Sequence, residues 1–295
     1  MDDVRTPPGT IAVDVERLLG RSLPDGGFTD RLGGTYRTDA TAWAAIVLDA
    51  VGQREAYSAA AKRLATDQSS DGRVPISPRH PGAWWPTALA VVAWAGVDSS
   101  RLEKDRAVQF LLHVNGTTAQ KQVNDPTGHD TTLRGWSWIE GTHSWIEPTS
   151  LSLLAFAAAG INEHPRIDEA IRLLLNRQLP QGGWNYGNTT MFGHELHPMP
   201  ESTGVALAAL AGKVPPSDTA RSLEYLRGSV DQLRTPIALG WSLLGLAAWN
   251  NWPSNGEALV HRCLSAQSRY GEYDTASLCL MLMAAVEGGA GRFRP

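Results

Sequence analysis

The sequence predicts an all-α fold, an (α/α)6 barrel with six inner and six outer helices. Two kinds of segment alternate along the chain. One kind is apolar nearly all round, as in a helix buried on most faces, and the other carries a single apolar stripe, as in a half-exposed helix. Since six half-exposed helices can surround six buried ones in a closed ring, we expect residues 1–295 to form one domain.

The buried segments are rich in Ala and Leu, and we expect them to form the inner ring. Four of them end at Gly, a residue that commonly terminates a helix. Their ranges are 39–52, 85–96, 147–160, 201–212, 236–249 and 274–286.

The amphipathic segments are expected to form the outer ring. In one of them Ile171, Leu174 and Leu175 follow the spacing of a single helical face, while charged residues occupy the other faces. The ranges are 11–20, 54–66, 102–114, 167–178, 217–228 and 255–267.

Composition argues against several functional classes. A net charge of −4 without a basic run argues against nucleic acid as a partner. The apolar stretches run for about a dozen residues, whereas a helix that spans a bilayer needs about 20. The N-terminal residues lack the pattern of a signal peptide. We therefore expect a cytoplasmic protein, with residues 1–10 as a flexible tail.

Neither a metal nor a cofactor is expected. Cys263 and Cys279 do not form a CxxC pair. His194 and His197 have a spacing that could hold a metal, but no third ligand follows at a suitable distance along the chain.

The connectors after several outer helices share a Gln-x3-Gly-x-(apolar or aromatic) pattern. We expect a structural role, because Gly suits a tight turn and the Gln side chain can bond open backbone groups at a helix end. The copies are Gln68–Val74, Gln178–Trp184 and Gln267–Tyr273, with a weaker copy at Ser22–Phe28.

With these Gln–Gly–aromatic turns and alternating helices, the chain resembles the superfamily of squalene–hopene cyclases and protein prenyltransferase β subunits. The resemblance covers most of residues 10–290. It implies an α/α toroid with an apolar central cavity that opens where the inner helices begin, and a hydrophobic isoprenoid as ligand.

The resemblance also implies a catalytic acid. Cyclases of this superfamily protonate a polyene with an Asp-x-Asp-Asp-Thr stretch at the start of an inner helix. In "WIEPT", Glu147 stands at the central Asp and Thr149 at the Thr, while Trp145 and Pro148 replace the flanking acids. The prenyltransferase zinc ligands match less well, since Asp274 and Cys279 lack a following His.

Acids stand at the start of four inner segments, at Asp39, Glu147, Glu201 and Asp274. Capping of a helix N-terminus explains such acids without any catalysis. With Pro148 after it, Glu147 is itself expected to cap its helix. Alternatively, tryptophans and a nearby Asp130 would raise the pKa of Glu147 and keep its proton available near neutral pH.

The chain holds 11 Trp against 5 Phe, and several of these indoles precede Glu147. Their faces could stabilise a carbocation, stack on a sugar, or simply pack in the core. Residues 115–145 form a long connector that we expect to lie over one mouth of the barrel. Glu147 and Asp130 are the candidate catalytic residues, and the candidate substrate-binding residues are Trp136, Trp138, Trp145, Trp85, Trp43, Glu201 and Asp39.

Three functions remain open at this stage, and the sequence does not decide whether the protein is an enzyme. One is isoprenoid binding with cyclisation started by protonation, and a second is a non-catalytic scaffold that binds a lipid or a partner. The third is a carbohydrate-active barrel in which Glu147 pairs with Asp130 or Glu201. A dry apolar cavity favours the first, a filled cavity the second, and an open groove with several carboxylates the third. Peripheral membrane contact and the oligomeric state also stay open.

Overall fold

The computed structural model describes residues 11–120 and 127–286. The tail expected at residues 1–10 lies outside them. The helices are α1 (Ala12–Leu19), α2 (Thr38–Ala50), α3 (Arg54–Asp67), α4 (Pro86–Trp94), α5 (Arg101–His113), α6 (Ile146–Ala158), α7 (Pro165–Asn176), α8 (Pro200–Leu210), α9 (Pro216–Ser229), α10 (Pro236–Ala248), α11 (Gly256–Ser265), α12 (Gln267–Tyr270) and α13 (Thr275–Ala285). Two short antiparallel hairpins join β1 (Phe28–Thr29) to β2 (Tyr36–Arg37) and β3 (Thr190–Met191) to β4 (His194–Glu195).

The helices form two concentric rings, which confirms the predicted all-α toroid. In the inner ring α2, α4, α6, α8, α10 and α13 each contact the next, and α13 contacts α2. The outer helices α1, α3, α5, α7, α9 and α11 are half-exposed. The predicted helix boundaries are correct to within a few residues. The hairpins were not predicted, because strands of two residues carry no periodic signal.

Two glycines allow α8 and α10 to pack closely. A Cβ atom on Gly204 would lie 2.2 Å from the Trp241 carbonyl oxygen, and one on Gly245 would lie 2.5 Å from the Gly204 oxygen. Any side chain at these positions would push the two helices apart.

The connector glutamines bind the outer helices to one another. Each Gln side chain donates a hydrogen bond to the next outer helix, and the last one reaches α1, which closes the ring. This role is wider than the expected bond to a helix end. The pairs are Gln68 with Glu103 O (2.8 Å), Gln178 with Ser222 Oγ (2.7 Å) and Gln267 with Asp14 Oδ1 (3.1 Å).

A second repeated bond joins four of the connectors to the inner helix that follows. In each of the four, a connector residue donates its backbone N–H to a Thr hydroxyl oxygen in that helix. The pairs are Phe28 with Thr41 (2.9 Å), Val74 with Thr87 (2.9 Å), Trp136 with Thr149 (3.1 Å) and Trp184 with Thr203 (3.0 Å). The first three pairs are 13 residues apart, and the fourth is 19 residues apart and includes the β3–β4 hairpin.

The interior of the ring is packed with side chains below the first turn of the inner helices. All nine residues of α4 are buried, as are Ser202–Leu210 of α8. The rings of Trp43 on α2 and Trp241 on α10 meet edge to face with centroids 5.8 Å apart. Because α13 lies between α2 and α10 in the ring, this contact crosses the interior. At this level the expected apolar cavity is therefore filled. No helix among the described residues is long and apolar enough to cross a bilayer.

Candidate active site at the mouth of the ring

The inner helices begin at one end of the ring, which we call the mouth. A cavity of about 630 Å3 is lined there by Glu201 of α8, by Thr235–Ala238 at the start of α10, and by Asp274 before α13. A neighbouring cavity of about 310 Å3 shares Asp274 and adds Asp39 from the start of α2. Both are open spaces lined by polar and apolar atoms, not an enclosed apolar chamber.

Glu147 is the second residue of α6, and the prediction that it caps this helix is wrong. The helix begins one residue earlier, with Trp145 in the capping position and no side-chain capping bond. Pro148 is accommodated because the N–H groups of the first turn have no partner within a helix. Among residues 11–120 and 127–286, no group donates a hydrogen bond to the partly buried Glu147 carboxyl.

Burial raises the pKa of Glu147 from 4.5 to about 7, and repulsion from Glu201 adds to the rise. Both effects disfavour the charged form. Glu147 therefore holds its proton about half of the time at neutral pH, and it can release that proton to a bound substrate.

Glu201, the second residue of α8, is the acid that faces Glu147. Its Oε1 atom accepts a hydrogen bond of 2.9 Å from the hydroxyl of Tyr186. Tyr186 is 47% exposed at the mouth. Burial raises its pKa, as do the hydrogen bond to Glu201 and the charges of Glu201 and Glu147.

The predicted pair between Glu147 and Asp130 is not formed. Asp130 instead accepts hydrogen bonds from the backbone N–H (2.9 Å) and hydroxyl (2.6 Å) of Thr132. Burial lowers the pKa of Arg177 to about 10, and the negative charge of Asp130 partly opposes this decrease. Asp130 is therefore a loop-ordering residue rather than the partner of the acid.

The two remaining acids at helix starts are engaged in structure. Asp39 accepts hydrogen bonds of 2.9 and 2.7 Å from the Arg37 guanidinium, so it forms an ion pair rather than a cap. Asp274 caps α13 as expected, since it accepts the Ser277 N–H at 2.8 Å.

Two of the predicted substrate-binding tryptophans are structural. Trp136 is fully buried and donates its indole N–H to Leu111 O of α5 at 2.9 Å. Trp43 is only 4% exposed and packs inside the ring. Neither offers a surface to a ligand at the mouth, because Trp136 joins the two helix layers and Trp43 packs inside the inner ring.

The other three tryptophans keep accessible surface. Trp85 precedes α4 and Trp138 precedes α6, and their partly exposed rings meet edge to face with centroids 5.2 Å apart. Trp145 is also partly exposed and lies against His143, with ring centroids 4.3 Å apart. The described part of the 115–145 connector brings Trp138 against Trp85 at the start of α4 and places Trp145 at the start of α6.

Tyr186 was not predicted as a site residue, although the sequence holds a signal for it. It follows Trp184 by two residues, as Trp138 follows Trp136. Aligning the connectors on their aromatic residue would have selected both positions together.

The fold is similar to several solved structures. The type II terpene cyclase MstE from Scytonema, in complex with geranylgeranyl dihydroxybenzoate, matches with a TM-score of 0.62 and 14% identity over 94% of this chain and 96% of that chain. A GH8 endo-β-1,4-glucanase from an Achatina fulica gut metagenomic library matches with a TM-score of 0.55 and 15% identity over 95% and 98%. A protein from Actinoplanes matches with a TM-score of 0.59 and 19% identity over 94% and 98%.

No model of a known protein family matches the chain, and no curated protein matches it. Identities below 20% establish a shared architecture and nothing finer. The match extends over nearly the whole length of each neighbour, so a single ring accounts for nearly all of each of those chains. The chain therefore has the α/α-toroid fold that these proteins share.

Proposed function

We propose that the mouth is the active site of a carbohydrate-active enzyme, with Glu147 as general acid and Glu201 as second carboxylate. The observation that carries this proposal is a carboxyl with a pKa of about 7 beside a second carboxyl group. Glycoside hydrolysis uses such a pair, in which one member keeps its proton near neutral pH.

In the proposed reaction, Glu147 donates its proton to the glycosidic oxygen as the bond from that oxygen to the anomeric carbon breaks. As that bond breaks, Glu201 removes a proton from an attacking water. Alternatively, Glu201 attacks the anomeric carbon and forms a glycosyl ester, which water cleaves in a second step while the Glu147 carboxylate accepts the proton of that water. The product is a sugar with a free anomeric hydroxyl, together with the departing alcohol.

Two features favour a saccharide over a polyene. A carboxylic acid with a pKa near 7 matches the transfer of a proton to an oxygen at neutral pH, whereas an alkene is a far weaker base. The cavity beside Glu201 is open and partly polar, while the interior of the ring is filled.

Acid-initiated isoprenoid cyclisation is the second candidate, and the pair of Trp85 and Trp138 favours it. Two indoles at the rim provide negative π-faces that attract a carbocation. A polyene would then lie across the mouth, because the interior below is occupied by Trp43 and Trp241.

The test is a parallel incubation with soluble oligosaccharides of several linkages and with C15 to C30 isoprenoids, followed by mass spectrometry. We expect hydrolysis of an oligosaccharide, and loss of that hydrolysis in Glu147→Gln and Glu201→Gln. Glu163→Gln is the matched control, since Glu163 is exposed near the other end of α6. Formation of a cyclised isoprenoid would establish the second candidate. If neither panel gives a product, the non-catalytic binding scaffold is the function that remains.

A further inference from the structure

Tyr186 contacts the starts of the two neighbouring inner helices that carry Glu147 and Glu201. Its backbone oxygen accepts a hydrogen bond of 2.9 Å from the N–H of Ile146, the residue before Glu147 in α6. Its hydroxyl donates to Glu201 Oε1 on α8, also at 2.9 Å. A single residue therefore spans the gap between the two carboxyl-bearing helices.

The position of Tyr186 follows from the repeat. Tyr186 lies two residues after Trp184, whose N–H is bonded to a Thr hydroxyl. Three other connectors have a residue at the same position, and each of these residues also contacts the start of the inner helix that comes one place earlier in the ring. The contacts are Asp30 O with the Thr275 N–H (2.7 Å), Ile76 O with the Thr38 hydroxyl (3.2 Å), and the Trp138 ring with the Trp85 ring (5.2 Å between centroids). Tyr186 is the member of this set whose hydroxyl reaches an acid on the following inner helix.

The backbone around Tyr186 is held on both sides. Asn185 accepts the Tyr186 N–H with its side-chain oxygen at 2.8 Å and donates to His197 O at 2.7 Å, which closes the base of the hairpin. On the other side Gly187 packs so closely that a Cβ atom there would lie 3.3 Å from the Trp145 ring. The hydroxyl of Tyr186 thus projects from a well-ordered segment.

We propose that Tyr186 is the positioning residue of this site and fixes the Glu201 carboxylate opposite Glu147. The proposal rests on the proposed function for the roles of the two acids. A hydroxyl that donates to a carboxylate stabilises its negative charge and restricts its rotation. Glu201 on α8 is the charge that repels the ionised form of Glu147 on α6. Removing the Tyr186 hydroxyl frees Glu201 to turn toward solvent and weakens this repulsion.

The test is the variant Tyr186→Phe, which keeps the ring and removes the hydroxyl. The pKa of Glu147 is obtained from the pH dependence of urea unfolding, as the difference between each protein and the same protein carrying Glu147→Gln. We expect Tyr186→Phe to lower this pKa by about half a unit or more, since burial of Glu147 persists while the repulsion falls. In a Glu201→Gln background the same substitution should cause no further shift. Tyr270→Phe, which removes an exposed hydroxyl before α13, serves as control.

A pKa of Glu147 that stays unchanged in Tyr186→Phe would overturn the inference, even if the variant is less stable at every pH. An equal shift with and without Glu201 would overturn it too. These outcomes are independent of activity. If Tyr186→Phe lowers the pKa of Glu147 but no oligosaccharide is cleaved, the proposed function fails and the positioning role stands. If an oligosaccharide is cleaved but the pKa of Glu147 is unchanged in Tyr186→Phe, the positioning role fails and the proposed function stands.

Discussion

Glu147→Gln should make the protein more stable at alkaline pH, which is unusual for the replacement of an acid near a helix N-terminus. Burial and Glu201 raise the pKa of Glu147 from 4.5 to about 7 in the folded protein. The folded state then binds more protons than the unfolded state between these two values, so the wild-type protein loses stability as pH rises from about 4.5 to 7.

The shift of about 2.5 units corresponds to about 3 kcal/mol of lost stability above pH 7, at about 1.4 kcal/mol per unit. Glutamine cannot ionise and avoids this loss. We expect the free energy of unfolding of Glu147→Gln to exceed that of the wild type by up to about 3 kcal/mol at pH 8, and by less than about 1 kcal/mol at pH 5. The Glu163→Gln control should show no such dependence.

Urea unfolding at pH 5 and pH 8 measures the free energy of unfolding of the wild type and of the variant, and it requires no knowledge of the substrate. Because urea is uncharged, it does not screen the charge interactions of Glu147. A variant that is less stable than the wild type by the same amount at pH 5 and pH 8 would show that the pKa of Glu147 is not raised in the folded protein. That result would mean that the Glu147 carboxylate stabilises the start of α6, as an ordinary first-turn acid does.

Further predictions concern the architecture and the rim. Gly204→Ala should lower the free energy of unfolding in urea by about 1–3 kcal/mol, because the new Cβ would lie 2.2 Å from the Trp241 carbonyl oxygen. Unchanged stability would show that α8 and α10 do not pack this closely. Trp136→Phe should cost about 1 kcal/mol or more of stability by removing the bond to Leu111 O. Trp138→Ala should instead weaken substrate binding, seen as a rise in KM, with a smaller effect on Tm; the opposite pattern in these two variants would reverse their assigned roles.

The helix layout was predictable because each helix carries its own signal. All-round apolarity identifies the inner helices, an apolar stripe identifies the outer ones, and the Gln–Gly turns mark the connections. Because these patterns are local in the sequence, the predicted helix boundaries agree closely with those of the structure. The expected deep cavity was less predictable, since it depends on whether side chains such as Trp43 fill the space.

The candidate site was predictable in part. Glu147 and Glu201 could be selected because both stand at the start of an inner helix, and the ring brings all such starts together. Their partners could not be read from the sequence. Arg37 neutralises Asp39 and Thr132 binds Asp130, whereas Glu201 is held by Tyr186. These differences depend on side-chain directions and on burial, which leave no periodic signal.

A titration followed by carbon NMR measures the pKa of the Glu147 carboxyl itself, on which the proposed general acid depends. With labelled glutamate, Glu147→Gln identifies the resonance by its disappearance. We expect a pKa of about 7 for this carboxyl, and a clear decrease in Glu201→Gln, where the repelling charge is removed. A Glu147 resonance that titrates near 4.5 and is unaffected by Glu201→Gln would rule out the raised pKa on which the proposed general acid depends.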